Sequence, residues 1–319
     1  MKRKKSPKKT LRLNSKGQMN PPQIFAGSSN PELAQKVSKI SKITLGKIDL
    51  GVFADGEIDV WVEDEVNNSN VFILQSNSHP VNDHIIELAL IADALRRSGA
   101  HKITAVIPYF GYSRKEKQNR PGEPISAKVV ADLIISSGIN KVICLDLHAD
   151  AIVGFFEVPV IYLTALGILA ERLKKEKLTN AIVVAPDVGG VKRARNFAAI
   201  LNLPLAVIEK HRYTHVRDHM EVLSMTGEVL GETAIIIDDV ISTGGTVIES
   251  ANSLKQKGVK KIIVCATHGV FAADGVKKLE QSSIDKIFVT DSIAQIKKSP
   301  KFEVVSIASL IADCLKQEV

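Results

Sequence analysis

The chain has 319 residues, enough for two domains with full hydrophobic cores, and its 45% hydrophobic and 24% charged residues are typical of a soluble globular protein. No stretch approaches ~18 consecutive apolar residues, so the sequence predicts no transmembrane helix. The three cysteines are far apart and lie within apolar patterns. We therefore expect reduced core thiols, no disulfide framework and a cytoplasmic location.

The net charge of +7 comes from the first residues of the chain. Residues 1–18 contain eight Lys and Arg residues and no acid, whereas the remaining residues carry 34 basic and 35 acidic side chains. No apolar segment follows the lysines, which argues against a secretory signal. We predict a disordered basic tail over residues 1–22, with a nucleic-acid or anionic-surface contact and a targeting segment as alternatives. The fold itself is not expected to bind nucleic acid or a membrane.

Helical and β-branched patterns alternate along the rest of the chain. In chain order the patterns predict a helix over 31–39, a strand over 70–76, a helix over 83–99, a strand over 102–110, a helix over 127–137, a strand over 141–146, a helix over 165–176, a strand over 181–185, a helix over 190–201, strands over 205–208 and 234–237, a helix over 246–258, strands over 260–269 and 286–290, and a helix over 306–316. Such alternation forms parallel sheets covered by helices on both sides. We therefore predict an α/β fold with an N-terminal domain over 23–160 and a C-terminal domain over 161–319.

The two halves share a strand–helix–strand pattern. The elements over 70–110 follow the same order as those over 234–269, and the junctions SGAHKIT and KGVKKII are alike. This favours a duplicated βαβ module, with two independent crossover units as the alternative.

The segment IIIDDVISTGG, at 235–245, joins a predicted strand to a predicted helix. Open α/β sheets bind ligands at this edge, where backbone N–H groups and the helix dipole favour an anion such as a phosphate. Glycines allow the backbone to approach that anion closely. Asp238 and Asp239 would repel a phosphate, so we expect them to bind sugar hydroxyls, a metal ion, or both.

Two other strand ends carry residues suited to a divalent cation. LDLHAD presents Asp146 and His148, and APDVGGVKRAR presents Asp187 before a basic helix. A His and an Asp can hold Mg²⁺, which usually keeps several waters and shares its shell with substrate phosphates. A capped or hydrogen-bonded structural role is the alternative for each residue.

The segment EKHRYTHVRDH follows the predicted strand over 205–208 and is charged almost throughout. We interpret it as a mobile loop whose Lys210 and Arg212 neutralise the charge that develops during phosphoryl transfer. His211, His215 and His219 are four residues apart, which leaves a soft-metal site on a helix as the alternative.

Two segments of the first half suit a purine triphosphate. GVFADGEIDVWVED presents Phe53, Asp55 and Glu57, and PYFGYSRKEK presents aromatic rings beside Arg114 and Lys115. A turn with core-packed rings is the alternative. The chain contains no G-x-x-x-x-G-K-[ST], G-x-G-x-x-G or H-E-x-x-H motif, which argues against a P-loop kinase and a Rossmann dehydrogenase.

These segments together resemble the ribose-phosphate pyrophosphokinase (PRPP synthetase) family. The similarity extends from FAGSSNPELA at residue 25 to the FVTDSI region near residue 293, and it includes FADGEIDV, ITAVIPYFGYSR, DLHA, GFFEVP, PDVGGVKRAR and DDVISTGGT. The collinear set is specific, whereas the DDVISTGGT loop alone indicates only the wider phosphoribosyltransferase group.

The resemblance implies two phosphoribosyltransferase-like domains that make 5-phosphoribosyl 1-pyrophosphate (PRPP) from ribose 5-phosphate and ATP, release AMP and supply nucleotide biosynthesis. It also implies a Mg²⁺ cofactor, inorganic phosphate as an activator, and a homo-oligomer built from dimers up to a hexamer. The site residues that it implies are Lys210 and Arg212 for catalysis; Arg114 and Lys115, with Phe53, Asp55, Gly56 and Glu57 of a neighbouring subunit, for ATP; Asp238, Asp239, Ser242, Thr243, Gly244, Gly245 and Thr246 for ribose 5-phosphate; and His148 and Asp187 for the metal.

Four positions depart from the family pattern. Ser242 replaces an acid of the sugar loop, Lys115-Glu116 replaces Gln-Asp, His211 replaces the middle residue of Lys-Arg-Arg, and Asn67-Asn68 replaces Arg-Gly. A non-catalytic regulatory homologue is therefore one alternative to an active synthetase. A phosphoribosyltransferase, which the sugar loop by itself would permit, is the other.

Overall fold

A computed structural model of the chain describes residues 19–211, 221–226, 232–294 and 299–319. Most of the predicted tail lies outside the described residues. The first strand begins at Asn20, so the last three residues of the predicted tail belong to the fold.

The first half contains one parallel sheet and a separate hairpin. Its elements are β1 (Asn20–Ala26), α1 (Pro31–Ser41), β2 (Thr44–Leu45), β3 (Ile48–Val52), β4 (Ile58–Val62), β5 (Ser69–Leu74), α2 (Val81–Arg97), β6 (Lys102–Ile107), α3 (Ser126–Ser136), β7 (Lys141–Leu145), a 3₁₀ helix (Asp150–Phe155) and β8 (Val160–Leu163). The sheet has the strand order β2-β1-β5-β6-β7-β8. The strands β3 and β4 pair with each other in antiparallel fashion.

The second half contains the other sheet. Its described elements are α4 (Leu166–Leu173), β9 (Ala181–Ala185), α5 (Val191–Leu201), β10 (Leu205–His211), β11 (Glu221–Thr226), β12 (Thr233–Ile241), α6 (Gly245–Gln256), β13 (Lys261–Gly269), α7 (Gly275–Gln281), β14 (Lys286–Thr290), β15 (Phe302–Val305) and α8 (Ala308–Lys316). The strand order is β11-β10-β9-β12-β13-β14-β15, and β11 is antiparallel to β10.

The two sheets have the same connectivity. Strands β9, β10, β12, β13, β14 and β15 occupy the places that β1, β2, β5, β6, β7 and β8 occupy in the first sheet. The predicted α/β fold is confirmed, and the repeat extends over nearly the whole of each half. The predicted division into domains near residue 160 falls at the start of β8, which belongs to the first sheet, and the division stays a prediction.

One hydrophobic core joins the two sheets. It combines side chains of the first sheet, such as Phe72, with side chains of the second, such as Phe288, and with the apolar faces of α1, α4, α5 and α8. A second core lies under α2 and α3, and a third under α6 and α7. Burial of each large apolar side chain stabilises the fold by about 1.5–3 kcal/mol, so the shared core fixes how the two sheet edges face each other.

Three differences from the predicted elements affect the candidate site. Strand β12 continues through both aspartates to Ile241, because β13 pairs beside it as far as Gly269. Strand β10 continues to His211, into the segment that we interpreted as a mobile loop, because β11 pairs with it. The hairpin β3–β4 surrounds the predicted adenine-binding segment. Among the described residues, no helix is long and apolar enough to span a bilayer.

Candidate active site

The carboxyl ends of the two sheets face each other. His148, just after β7, has its Nδ1 atom 2.8 Å from Oδ2 of Asp239 in β12. The Thr267 hydroxyl of β13 donates to the Asp146 carboxylate at 2.6 Å. The candidate site is therefore built by both halves of the chain.

Two adjacent aspartates, the half-buried Asp238 and the buried Asp239, lie at the centre of this edge. Arg193 of α5 has its Nη1 atom 3.2 Å from Asp239 and 3.5 Å from Asp238. Burial and the neighbouring Asp239 charge raise the pKa of Asp238 well above its usual value. Burial alone would also raise the pKa of Asp239, but the hydrogen bond with His148 and the charge of Arg193 outweigh it and lower that pKa. The two neighbouring carboxyl groups therefore have pKa values shifted in opposite directions.

The loop over 242–246 has the form of a phosphate cradle. Gly244 has a φ of +84°, and a Cβ atom there would lie 2.9 Å from Leu279, so the position requires glycine. The Ser242 carbonyl accepts a hydrogen bond from the Ala272 backbone at 3.0 Å. The segment between β13 and α7 therefore holds the loop. The first N–H groups of α6 are left for an anion, because a helix provides them no partner.

The two predicted metal ligands lie on different loops. Asp187 follows β9, and its carboxylate accepts the Gly190 backbone N–H at 2.9 Å. The hydrogen bond with Asp239 raises the pKa of His148, and the charge of Glu116 acts in the same direction. Within the described ranges no three His, Cys, Asp or Glu side chains are grouped closely enough to bind a metal ion. The donors nevertheless suit Mg²⁺, which takes much of its shell from water and substrate phosphates.

Arg114 lies on the same side of the molecule as the aspartate pair. Burial raises the pKa of Tyr109, the charge of Arg114 lowers it, and the charge of Asp239 raises it, so both groups are near this ring. Lys115 has its Nζ atom 3.4 Å from Glu123, which also accepts a hydrogen bond from the Asn119 backbone. These contacts fold the segment after Arg114 into a compact loop.

The other predicted ATP residues form the turn between β3 and β4. The Phe53 backbone N–H donates to the Glu57 carbonyl at 2.8 Å, and Gly56 has a φ of +95°. Asp55 accepts the Glu57 N–H at 3.2 Å, which closes the turn. In the described part of the chain, no hydrogen bond or ion pair connects this turn with Asp239 or Arg114.

The predicted catalytic pair is only partly described. The backbone of Lys210 lies in β10 opposite Val222. The Lys210 side chain, Arg212, His215 and His219 lie outside what the structure describes.

Sequence reasoning missed Arg193, Thr267 and His268 as members of the site. Arg193 lies one turn before Phe197 on the apolar face of α5, and a basic residue on such a face is a signal that the sequence contains. Thr267 and His268 lie at the end of an apolar strand, and nothing local to β13 indicates that their partners are in the other sheet.

Two family models match the chain. The N-terminal domain of ribose phosphate pyrophosphokinase matches residues 22–138, and the phosphoribosyl synthetase-associated domain matches residues 213–318. Together they cover parts of both sheets.

Curated relatives match over nearly the whole length. The ribose-phosphate pyrophosphokinase of Fusobacterium nucleatum is 42% identical over 297 residues, which are 92% of this chain and 93% of the relative. That of Aquifex aeolicus is 44% identical over 301 residues, 94% of this chain and 96% of the relative. The crystal structure of phosphoribosylpyrophosphate synthetase from Mycobacterium smegmatis superposes with a TM-score of 0.88 at 34% identity, covering 94% of this chain and 99% of that one. The similarity therefore includes both sheets and the edge where they meet.

Proposed function

This chain belongs to the ribose-phosphate pyrophosphokinase family, and we infer from that membership that it makes PRPP from ribose 5-phosphate and ATP. The observation that carries the inference is the meeting of His148 from one sheet with Asp239 from the other, beside the loop over 242–246. A phosphoribosyltransferase would need only the half that contains this loop, whereas the relatives match both halves.

We propose that the loop over 242–246 binds the 5-phosphate of the sugar. The glycine-dependent turn and the first N–H groups of α6 support this, because they offer donors and a favourable dipole to an anion. With the 5-phosphate in this loop, the ribose hydroxyls would lie beside Asp238 and Asp239. Hydroxyl donors stabilise an ionised carboxylate, so sugar binding acts against the burial that raises the pKa of Asp238.

ATP is proposed to bind between the loop that carries Arg114 and the aspartate edge. Arg114 and Lys115 would contact the nucleotide, and His148 and Asp187 would hold Mg²⁺ with the help of water and phosphate oxygens. Bound Mg²⁺ supplies charge neutralisation to the triphosphate. The anomeric hydroxyl of the sugar releases its proton to solvent and its oxygen forms a bond to the β-phosphorus. The bond from that phosphorus to the oxygen of the α-phosphate breaks, and AMP leaves with that oxygen.

Lys210 and Arg212 are proposed to stabilise the negative charge on the transferred diphosphoryl group. Strand β10 directs the chain at Lys210 toward the carboxyl edge of the second sheet, where the sugar loop also lies. Fixed cations and accurate positioning are the main sources of rate in phosphoryl transfer.

A neighbouring subunit is proposed to complete the adenine pocket. The turn with Phe53, Asp55, Gly56 and Glu57 is exposed and has no described contact with Arg114 of its own chain. We therefore propose a homo-oligomer built from dimers. From the family membership we also propose a cytoplasmic location and activation by inorganic phosphate.

The test measures AMP release from Mg·ATP by the purified protein, with and without ribose 5-phosphate and inorganic phosphate. AMP that appears only with the sugar, in equal amount to PRPP, is the expected result. A folded protein that releases no AMP under any condition would overturn the synthetase and favour the regulatory homologue, with Lys115-Glu116 and Ser242 as the disabling positions.

A further inference from the structure

Asp146 adopts an unusual backbone conformation at the point where the chain leaves β7. Its φ is +37°, in the left-handed region, which residues other than glycine adopt rarely. The residue is 4% exposed and precedes His148 by two positions. The direction that the chain takes at Asp146 therefore determines where His148 points.

Four hydrogen bonds hold Asp146 in this conformation. Within the first half, its backbone N–H donates to the Leu163 carbonyl at 3.0 Å, and its carboxylate accepts the Ala165 N–H at 2.9 Å. From the second sheet, the Thr267 hydroxyl donates to the carboxylate at 2.6 Å, and Nε2 of His268 lies 3.2 Å from the Asp146 carbonyl oxygen. Two neighbouring residues of β13 thus contact the side chain and the main chain of the same strained residue.

The surroundings of His268 fix the orientation of its ring. A carbonyl oxygen can only accept a hydrogen bond, so Nε2 carries the proton that it donates to Asp146. Nδ1 lies 2.9 Å from the Ser292 hydroxyl, which also donates to the Thr267 carbonyl at 3.1 Å, and the Tyr109 ring packs edge-on against the imidazole at 5.0 Å between centroids. Burial lowers the pKa of His268. Both nitrogens are engaged, so the ring has one orientation.

We propose that Thr267 and His268 are positioning residues, which lock Asp146 in its left-handed conformation across the junction of the two sheets and so place His148 against Asp239. They do not touch the reacting groups themselves. The second half of the chain, in this view, shapes the metal-side loop of the first half. The effect on turnover rests on the proposed function, whereas the effect on the loop does not.

The test compares four variants that separate the hydrogen bonds from general packing. Thr267→Val removes the hydroxyl with little change of shape, and His268→Phe keeps a ring against Tyr109 but removes both nitrogens. His268→Gln restores an N–H donor for the Asp146 carbonyl. Thr290→Val is the matched control, because the Thr290 hydroxyl is buried in the adjacent strand and donates to the Thr267 carbonyl at 2.7 Å, with no described hydrogen bond to Asp146.

Hydrogen–deuterium exchange of the segment over 146–150 and steady-state kinetics are measured for each variant. We expect Thr267→Val and His268→Phe to speed exchange in this segment and to lower kcat roughly 10- to 100-fold, as small misplacements of catalytic groups do, with an unchanged KM for ribose 5-phosphate. His268→Gln should recover most of both losses, and Thr290→Val should lower only thermal stability.

The proposal is overturned if exchange over 146–150 and kcat in Thr267→Val and His268→Phe match those of Thr290→Val. If Thr267→Val does not fold, the comparison of His268→Phe with His268→Gln decides by itself. If the unmodified protein makes no PRPP, the proposed function fails, and the exchange data alone decide whether Thr267 and His268 hold the loop.

Discussion

Replacement of Arg193 by methionine is expected to lower the free energy of unfolding by about 3 kcal/mol. The Arg193 and Asp239 side chains are 17% and 6% exposed and lie 3.2 Å apart, so at an effective dielectric constant of ~20 a unit charge pair attracts by about 5 kcal/mol. Arg193→Met removes the attraction between Arg193 and Asp239. The cost of desolvating the guanidinium in the native protein offsets part of this attraction. Methionine keeps the apolar packing of the arginine methylene groups, so the expected loss is of the charge interaction.

The assay is urea unfolding followed by far-UV circular dichroism, with Arg195→Met as the control. Arg195 is exposed on the same helix, so its replacement should change stability by no more than ~0.5 kcal/mol. The lowered pKa of Asp239 predicts a pH dependence as well. The ionised Asp239 carboxylate stabilises the folded protein above the usual pKa of ~3.9, and this stabilisation is lost as the pH falls through the lower native pKa. The difference in stability between Arg193→Met and the unmodified protein should therefore shrink in acid. Equal stability of the two variants at pH 7 would refute the ion-pair description.

Three further predictions concern the proposed chemistry and the core. Lys210→Ala should remain folded while kcat falls by roughly 10³-fold or more, and near-normal turnover would remove β10 from the mechanism. Asp238→Asn should raise the KM for ribose 5-phosphate much more than the KM for ATP, and an unchanged sugar KM would contradict the assignment. In thiol labelling at pH 8, native protein should react at Cys314 alone, since Cys144 and Cys265 are buried and burial raises their pKa values, that of Cys144 to about 12. In the unfolded chain the thiols of Cys144 and Cys265 ionise from about pH 8.5 upward, so the free energy of unfolding should fall as the pH rises above that value. Rapid labelling of all three thiols in the native protein would refute the burial.

Strong local patterns predicted the buried elements well. The bounds of β9 and β14 agree with prediction to the residue, because each is an apolar run between polar residues. The strands β1 and β2, the hairpin β3–β4 and the edge strands β8 and β15 were missed, since most of their side chains are not buried and their apolar pattern is diluted. The end of β12 was placed too early, because carboxylates look like loop residues until a partner strand is known.

The sequence by itself determined which functional groups each short segment of the site provides. The glycines of the loop over 242–246, the adjacent acids and the start of α6 are close in the chain, so their joint use as a sugar-phosphate site follows from local geometry. Only the tertiary structure decided which of these segments contact each other. His148 reaches Asp239 across 91 residues, and Thr267 reaches Asp146 across 121, because the order of strands in two sheets brings their carboxyl ends together. The opposite pKa shifts of Asp238 and Asp239 likewise have no local signal, since they arise from burial and from the arginine and the histidine that packing places beside the two carboxylates.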